Sequence, residues 1–218
     1  MIEATANINA PFVLFTLDKK EHDFFKKISQ QIQSNIKNKK SIRNGKYALA
    51  GQIEHEYLID DKEVESEIIK ILNPAVGYHY DSYNYLKDLT INSTVRPLKL
   101  DKVWINLQKK YEYNPAHFHS GVLSFVIWVE IPYLINDENN HPTSKGATFK
   151  CNGSFYFLNA GIMPLTNCNV QQTVIGADKT FEGKGLLFPS YLMHGVYPFY
   201  TSNKYRISIS GNFVVDVG

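Results

Sequence analysis

The stretch KYRISISGNFVV, residues 204–215, alternates polar and apolar side chains. Arg206, Ser208, Ser210 and Asn212 share one face, while Ile207 and Ile209, with Val214 further on, lie toward the other. A period of two marks a β-strand, because successive side chains point to opposite sides of a sheet. In an open, half-buried sheet the polar face meets solvent and Arg206 is an ordinary surface residue. In a closed barrel the polar face lines an interior cavity instead. An arginine there requires an anion, since a buried charge is tolerated only when it is paired. Its planar guanidinium suits a carboxylate, to which a serine two residues on can add a hydrogen bond.

Working back from this strand, period two holds from about residue 95. KVWINLQ sets Val103, Ile105 and Leu107 against Trp104, Asn106 and Gln108. LSFVIWVEI is a continuous apolar run, the pattern of a strand buried on both faces, and KGLLFP is another strand, closed by Pro189. Strands punctuated by Gly, Asn and Pro turns predict a sandwich, jelly roll or barrel. Fourteen Tyr and thirteen Phe agree, because flat rings pack well on pleated surfaces.

The first ninety or so residues read differently. INAPFVLFT, residues 8–16, predicts a short strand. Asp18 with Glu21 three residues later fits a capping box, and Phe25, Ile28, Ile32 and Ile36 recur at helical spacing. KNKKSIRNGK, residues 37–46, reads as a basic, solvated loop rather than a phosphate site. A second helix starts near Asp61 with Val64, Ile68, Ile71 and Leu72 on one face, and Asn73-Pro74 is expected to end or kink it. YHYDSYNYLKDL, residues 78–89, is expected to be helical or irregular. The fold class is therefore α+β, mainly β: a support region over residues 1–94 and a β core over 95–218, integrated in one domain.

Composition narrows the function classes. With 218 residues, 44% hydrophobic and 20% charged, the chain suits a globular domain with a substantial core. A net charge of +2 gives no reason to expect nucleic acid or an anionic membrane as partner. No signal peptide or long apolar span is visible, so a cytoplasmic location is the expectation. Cys151 and Cys168 give no disulfide framework, and reduced thiols fit that location.

Chemistry enters with NPAHFHSGVLSFVIWVEIPY, residues 114–133. In an extended segment His117 and His119 point to the same side and can reach one metal; they can equally be two polar residues at a strand entrance. In GKGLLFPSYLMHGVYPF, residues 183–199, a strand ends, a turn follows and His194 comes next. Alone, His194 is an ordinary histidine; with the pair it can be a third ligand. His141 sits in a polar loop, NDENNHPTSKG, and is expected to be solvated, though the loop could act as a lid over substrate. Its acids lack calcium-loop spacing. His22, His55 and His79 fall in the support region, away from this set.

The order His117-Phe118-His119, then His194, then Arg206-Ile207-Ser208 resembles the iron(II)/2-oxoglutarate-dependent dioxygenase superfamily. The likeness is greatest to a bacterial and phage oxygenase group related to prolyl hydroxylases, whose phage members make a viral source compatible. It covers about residues 100–215, and LLFPSYLMHGVYPF and YRISISGNF carry its most specific part. It implies a double-stranded β-helix, or jelly roll. The implied cofactors are Fe(II), 2-oxoglutarate as cosubstrate, and O2. His117, His119 and His194 would be the metal ligands, and Arg206, Ser208 and Asn106 the cosubstrate-binding residues. Gln108, Tyr111 and Tyr113 are further hydrogen-bonding candidates, ranked after Asn106. The implied reaction hydroxylates a substrate C–H bond while 2-oxoglutarate gives succinate and CO2. The substrate, a small molecule or a peptidyl side chain, is not legible, and neither is the oligomeric state.

One position departs from the pattern. The superfamily usually places a carboxylate where this chain has His119. A third imidazole, a shell completed by Glu130 or Asp137, a single ligand from the pair, or another metal such as zinc are the options this leaves. Two other readings compete. A cupin also uses His-x-His, but wants a glutamate soon after the pair, and here no acid comes before Glu130. A non-catalytic jelly-roll module, kept for binding or structure, is the reading that the missing carboxylate favours.

Overall fold

The strand predicted from KYRISISGNFVV runs over Arg206–Val215 as β11, an inner strand of a seven-stranded antiparallel sheet. The computed structural model describes residues 2–5, 11–45, 49–83, 98–161 and 169–216. Its elements in chain order are β1 (Ile2–Thr5), β2 (Phe12–Thr16), α1 (Lys19–Lys37), β3 (Glu56–Leu58), α2 (Lys62–Tyr83), β4 (Leu98–Gln108), β5 (Asn114–His117), β6 (Leu123–Glu130), α3 (Ile135–Asn140), β7 (Phe155–Gly161), β8 (Asn169–Ile175), a 3₁₀ turn (Lys179–Phe181), β9 (Lys184–Pro189), β10 (Met193–Val196) and β11. The larger sheet has the order β1-β2-β9-β6-β11-β4-β3, and a second sheet has the order β5-β10-β7-β8. Two antiparallel sheets face each other, and the fold is the mainly β jelly roll expected.

Register puts the polar row of β11 inside. Ser208 pairs with Asn106 on β4 and with Trp128 on β6, and Ser210 pairs with Trp104 and Val126. Paired residues share a face, so Arg206, Ser208, Ser210, Asn212, Trp104, Asn106 and Gln108 all look toward the smaller sheet. Trp128 packs there with Phe155, Phe157, Leu186, Phe188 and Phe199 to form the core between the sheets. The opposite face carries Ile105, Leu107, Ile207 and Ile209 and meets the helices through Phe25, Ile68 and Leu72. Phe213 joins this second face, where Val214 was expected, and a register shift between Asn212 and Phe213 accompanies it.

The helices follow their sequence signals with one exception. Asp18 accepts from the Glu21 amide at 2.8 Å while Glu21 accepts from the Asp18 amide at 2.7 Å, a full capping box. Phe25 is completely buried, and Ile28, Ile32 and Ile36 pack around it. Asp61 caps α2 by accepting from the Glu63 and Val64 amides. Pro74, expected to end or kink α2, does not end it; the helix continues nine residues to Tyr83. Proline inside a helix costs about 3 kcal/mol. Here Ile68, Leu72, Ala75 and His79 lie along one buried stripe that spans the proline, and their packing outweighs that cost. The segment 78–89 is helical through Tyr83, and its remainder lies outside the described residues. Residues 8–10 of the first predicted strand and Cys168 lie outside them too. Lys39, Lys40 and Arg43 of the basic loop are exposed, and Arg43 pairs with Asp60 at 2.5 Å. No helix among the described residues is long and apolar enough to cross a membrane.

His79 makes the fold sensitive to acid. It is 1% exposed, its Nε2 lies 3.4 Å from the Pro11 carbonyl, and burial lowers its pKa to about 4. In the unfolded chain it titrates near 6.5. As pH falls, the unfolded state takes the proton first, so stability present above about pH 6.5 is lost progressively down to about pH 4 and then levels off. The loss from this one residue is on the order of 3 kcal/mol. We expect His79→Leu to flatten that part of the curve in metal-free protein. Urea midpoints at pH 7 and pH 4.5 should lie closer together than in the parent, and an unchanged separation would assign the acid sensitivity elsewhere.

Candidate metal and cosubstrate site

β5 and β10 pair with His117 directly opposite His194. Their imidazoles share the inward face of the smaller sheet, with ring centroids 4.4 Å apart. His119 follows just beyond the strand, where its amide donates to the Ser190 carbonyl at 2.8 Å. Its ring centroid lies 4.8 Å from that of His117 and 5.1 Å from that of His194. One ligating nitrogen from each of the three falls within 4.8 Å of the others. Both members of the pair are thus brought to His194. Neither Glu130 nor Asp137 joins them: among the described residues the cluster is imidazole alone.

Second contacts fix which nitrogen each ring presents. His117 Nδ1 lies 2.7 Å from the Pro115 carbonyl, and His194 Nδ1 lies 2.8 Å from the Leu192 carbonyl. A carbonyl only accepts, so in each neutral ring Nδ1 carries the proton and Nε2 keeps its lone pair. This is the usual way a metal-ligating histidine is oriented. Phe155, Phe157 and Phe188 wall in His194, and Trp104 packs on His119 at 5.3 Å. Burial lowers the pKa of all three histidines, that of His119 to about 4 with a smaller push from His117. At neutral pH the rings are uncharged, the form that binds metal.

Across the cavity, Arg206 is 5% exposed. Its Nη1 donates to the Tyr133 hydroxyl at 3.0 Å and the Gly153 carbonyl at 2.9 Å, and its Nη2 donates to Gln108 Oε1. Gln108 is itself held by donating to the Glu112 carbonyl at 2.6 Å, and Tyr133 donates to the Gly153 carbonyl at 2.7 Å. All these partners are neutral. No carboxylate among the described residues lies within ion-pair distance of Arg206. A guanidinium has five N–H donors, so two remain beyond the three bonds made here, enough for one carboxylate. Between Arg206 and the imidazoles lies Asn106, 7% exposed, whose Oδ1 is buried with no hydrogen-bond partner. The oxygen and nitrogen of an amide are interchangeable by a flip, so this orphan position can accept or donate. Ser208 is half-buried beside it in the register.

Three neutral imidazoles fit a divalent metal, and a buried guanidinium with spare donors beside an orphaned amide fits an anionic cosubstrate. Some expected residues are not brought in. Tyr111 and Tyr113 are exposed; the Tyr111 ring packs on Tyr200. His141 is half-buried, stacked on Tyr200 at 4.9 Å rather than fully solvated. The loop around it is pinned, because Glu138 is fully buried and accepts from the Tyr200 and Thr201 amides. Tyr133 and Gly153 went unread in the sequence. A buried tyrosine hydroxyl implies a partner, yet its partner Arg206 is 73 residues away and leaves no local signal.

The family described as "Putative 2OG-Fe(II) oxygenase" matches residues 102–212, just over half the chain. The chain belongs to this family. Fe(II), 2-oxoglutarate and O2 are its cofactor set, and the protein is a 2-oxoglutarate-dependent oxygenase. No curated protein sequence matches it significantly. Among solved structures, the fold is similar to a prolyl-4-hydroxylase of Pseudomonas putida at 10% identity and a TM-score of 0.56, covering 96% of this chain and 95% of that one. It is also similar to AviO1 of Streptomyces viridochromogenes at 12% identity and a TM-score of 0.58, covering 96% and 91%. A Trichoplax adhaerens prolyl hydroxylase, in complex with a hypoxia inducible factor peptide fragment, gives 14% identity and a TM-score of 0.54, covering 95% and 85%. Family membership favours the oxygenase over the cupin reading, which gains no support.

The oxygenase needs a glycine at position 153. Its φ is +69°, and a Cβ there would stand 2.8 Å from the Tyr133 ring. Gly153→Ala is expected to destabilise the protein by roughly 1–3 kcal/mol, read as a lowered urea midpoint. An unchanged midpoint would show that the loop shifts freely to admit the methyl group.

Proposed function

We propose that the protein hydroxylates a substrate C–H bond, with 2-oxoglutarate and O2 consumed and succinate and CO2 released. His117, His119 and His194 are the metal ligands in this reading, and Arg206, Ser208 and Asn106 hold the cosubstrate. The observation that carries it is the pairing of His117 with His194 on one sheet, opposite a buried Arg206 that has only neutral partners.

Bound Fe(II) supplies the activation of O2, coupling oxidation of the substrate to decarboxylation of the cosubstrate. The chain's own groups do the positioning. The Pro115 and Leu192 carbonyls hold His117 and His194 in one tautomer, so no proton need be lost before a metal enters. The two spare N–H groups of Arg206 take the distal carboxylate of 2-oxoglutarate, and Gln108 and Tyr133 keep the guanidinium from turning. Asn106 turns its amide to the cosubstrate, which relieves its buried orphan atom. Trp128, Phe155, Phe157 and Phe188 exclude water from the wall behind His194. The substrate is a small molecule or a peptidyl side chain.

The test is succinate release from purified protein given Fe(II), ascorbate and 2-oxoglutarate. Turnover is expected, and His194→Ala should abolish it. Arg206→Gln should raise the KM for 2-oxoglutarate by roughly 10–100-fold, the loss of a charge-assisted pair. An active His194→Ala variant would overturn the ligand assignment, and an unchanged KM would overturn that of Arg206. Protein that binds neither metal nor 2-oxoglutarate would point to the non-catalytic module.

A further inference from the structure

The net charge of +2 conceals a separation of charge along the chain. Residues 19–43 hold eight of the 23 Lys and Arg but only two of the 21 Asp and Glu, so this segment is +6 and the remainder −4. The segment is α1 (Lys19–Lys37) with the loop that follows it. Its apolar stripe is already used, because Phe25, Ile28, Ile32 and Ile36 pack into the core on the large sheet. The lysines are left outside: Lys19, Lys20, Lys27, Lys37, Lys39 and Lys40 are exposed, and Lys26 is half-buried. At 3.6 residues per turn, Lys19, Lys26 and Lys37 fall on one row and Lys20 and Lys27 on a second, about 100° round the helix. The helix extends the pattern over about 27 Å.

Nearby acids do not neutralise this face. Glu21 is engaged in the capping box, Asp23 takes Lys19, and Asp60 takes Arg43. Lys20, Lys26, Lys27, Lys37, Lys39 and Lys40 make no ion pair among the described residues. Elsewhere Lys62, Lys70, Lys99 and Lys109 each have a carboxylate partner. The neighbouring helix shows what an ordinary solvated face looks like here, with Glu63, Glu65 and Glu67 set among Lys62 and Lys70 on α2. Concentrated like charge repels itself, and an anionic partner removes that repulsion.

The form of the stripe selects the partner. α1 has no free apolar edge to insert into lipid, which an interfacial helix needs. A flat anionic surface would also press on the acids of α2, where Glu67 lines the groove shared with Lys20 and Lys27. No exposed aromatic ring lies on α1 for an unpaired base to stack on. Two lysine rows on one helix face match the two phosphate rims of a B-form major groove, about 12 Å wide. Gln30 and Ser34, exposed between the rows, are further donors to phosphate. The major groove of A-form RNA is too narrow for this arrangement.

We propose that α1 and the loop after it dock on the phosphate backbone of duplex DNA without reading its bases. α1 lies on the face of the large sheet opposite the imidazoles, so the contact is separate from the metal and cosubstrate site and does not rest on the function proposed above.

The test is fluorescence anisotropy of a labelled, mixed-sequence DNA duplex of about 20 base pairs, titrated with full-length protein. At about 50 mM salt the expected Kd is micromolar, and raising salt to about 200 mM should weaken it at least about 100-fold, the loss for four neutralised phosphates. This salt slope tests the proposal without any variant. Lys20→Gln, Lys26→Gln and Lys27→Gln together should weaken binding at least about tenfold and lower the slope by about one for each lysine. Lys99→Gln, Lys145→Gln and Lys150→Gln, an equal change in net charge placed elsewhere, should change binding less than about twofold. Absence of binding at low salt, salt-insensitive binding, or equal loss in the two triple variants overturns the proposal. So does duplex RNA or a phosphatidylserine vesicle bound as tightly as the DNA, the latter pointing to a membrane surface instead.

Discussion

β11 is hydrogen-bonded to β4 on one side and to β6 on the other, and its register decides what the cavity contains. A slip of one residue would turn Ile207 and Ile209 inward and send Arg206, Ser208, Ser210 and Asn212 to the helices. Burial on both faces prevents it. The outer face is fixed by Ile105, Leu107, Ile207 and Ile209 against Phe25 and Ile68, none of them more than 1% exposed. The inner face is fixed by polar contacts such as the hydrogen bond from Ser124 to Asn212 Oδ1 at 2.8 Å. The helices therefore serve the site at a distance. Their apolar stripes fill one face of the large sheet and leave the other free to carry polar groups.

The smaller sheet meets this arrangement with a second registration. β5 has only four residues, yet its pairing with β10 sets His117 beside His194. The two rings are turned by carbonyls two residues before them in sequence, Pro115 and Leu192. Both strands use the same local device, a histidine whose Nδ1–H returns to its own chain. His119 has neither a strand to sit in nor such a return bond, and is held by its amide and by Trp104 instead. The site is thus two rigid imidazoles and one held more loosely.

Much of this was legible in the sequence, and the reason is physical. Periods of two and 3.6 report which side of an element is buried, so β4, β6, β9, β11 and the apolar stripe of α1 could be read directly. The Asp18–Glu21 box was legible because it is local, closing over three residues. The grouping of His117, His119 and His194 was legible through spacing and resemblance together, since neither the pair nor His194 carries a signal alone. What escaped reading depends on long-range packing. Tyr133 and Gly153 come to Arg206 from loops far along the chain. Pro74 is a strong local stop signal overruled by a buried stripe, because a single backbone penalty of about 3 kcal/mol is comparable to burying one or two large apolar side chains. The resemblance made Tyr111 a hydrogen-bonding candidate, but the turn after β4 takes a positive φ there and the ring packs on Tyr200.

The places where local rules fail are not scattered. A buried arginine without a carboxylate, an asparagine with an orphaned oxygen and three histidines kept uncharged by burial all face the same space between the sheets. Each is unfavourable for the ligand-free fold, since a buried polar or charged group costs free energy until it is satisfied. The core on the other face of the large sheet shows the opposite character: Val13, Phe25, Ile105, Leu107, Ile127, Leu187 and Ile209 are fully buried and apolar. Stability is concentrated in the apolar layers and unmet polarity in the cavity. That division is what a binding site for a metal and a small anion requires, because the free energy the ligands release on meeting those groups is not already spent by the protein on itself.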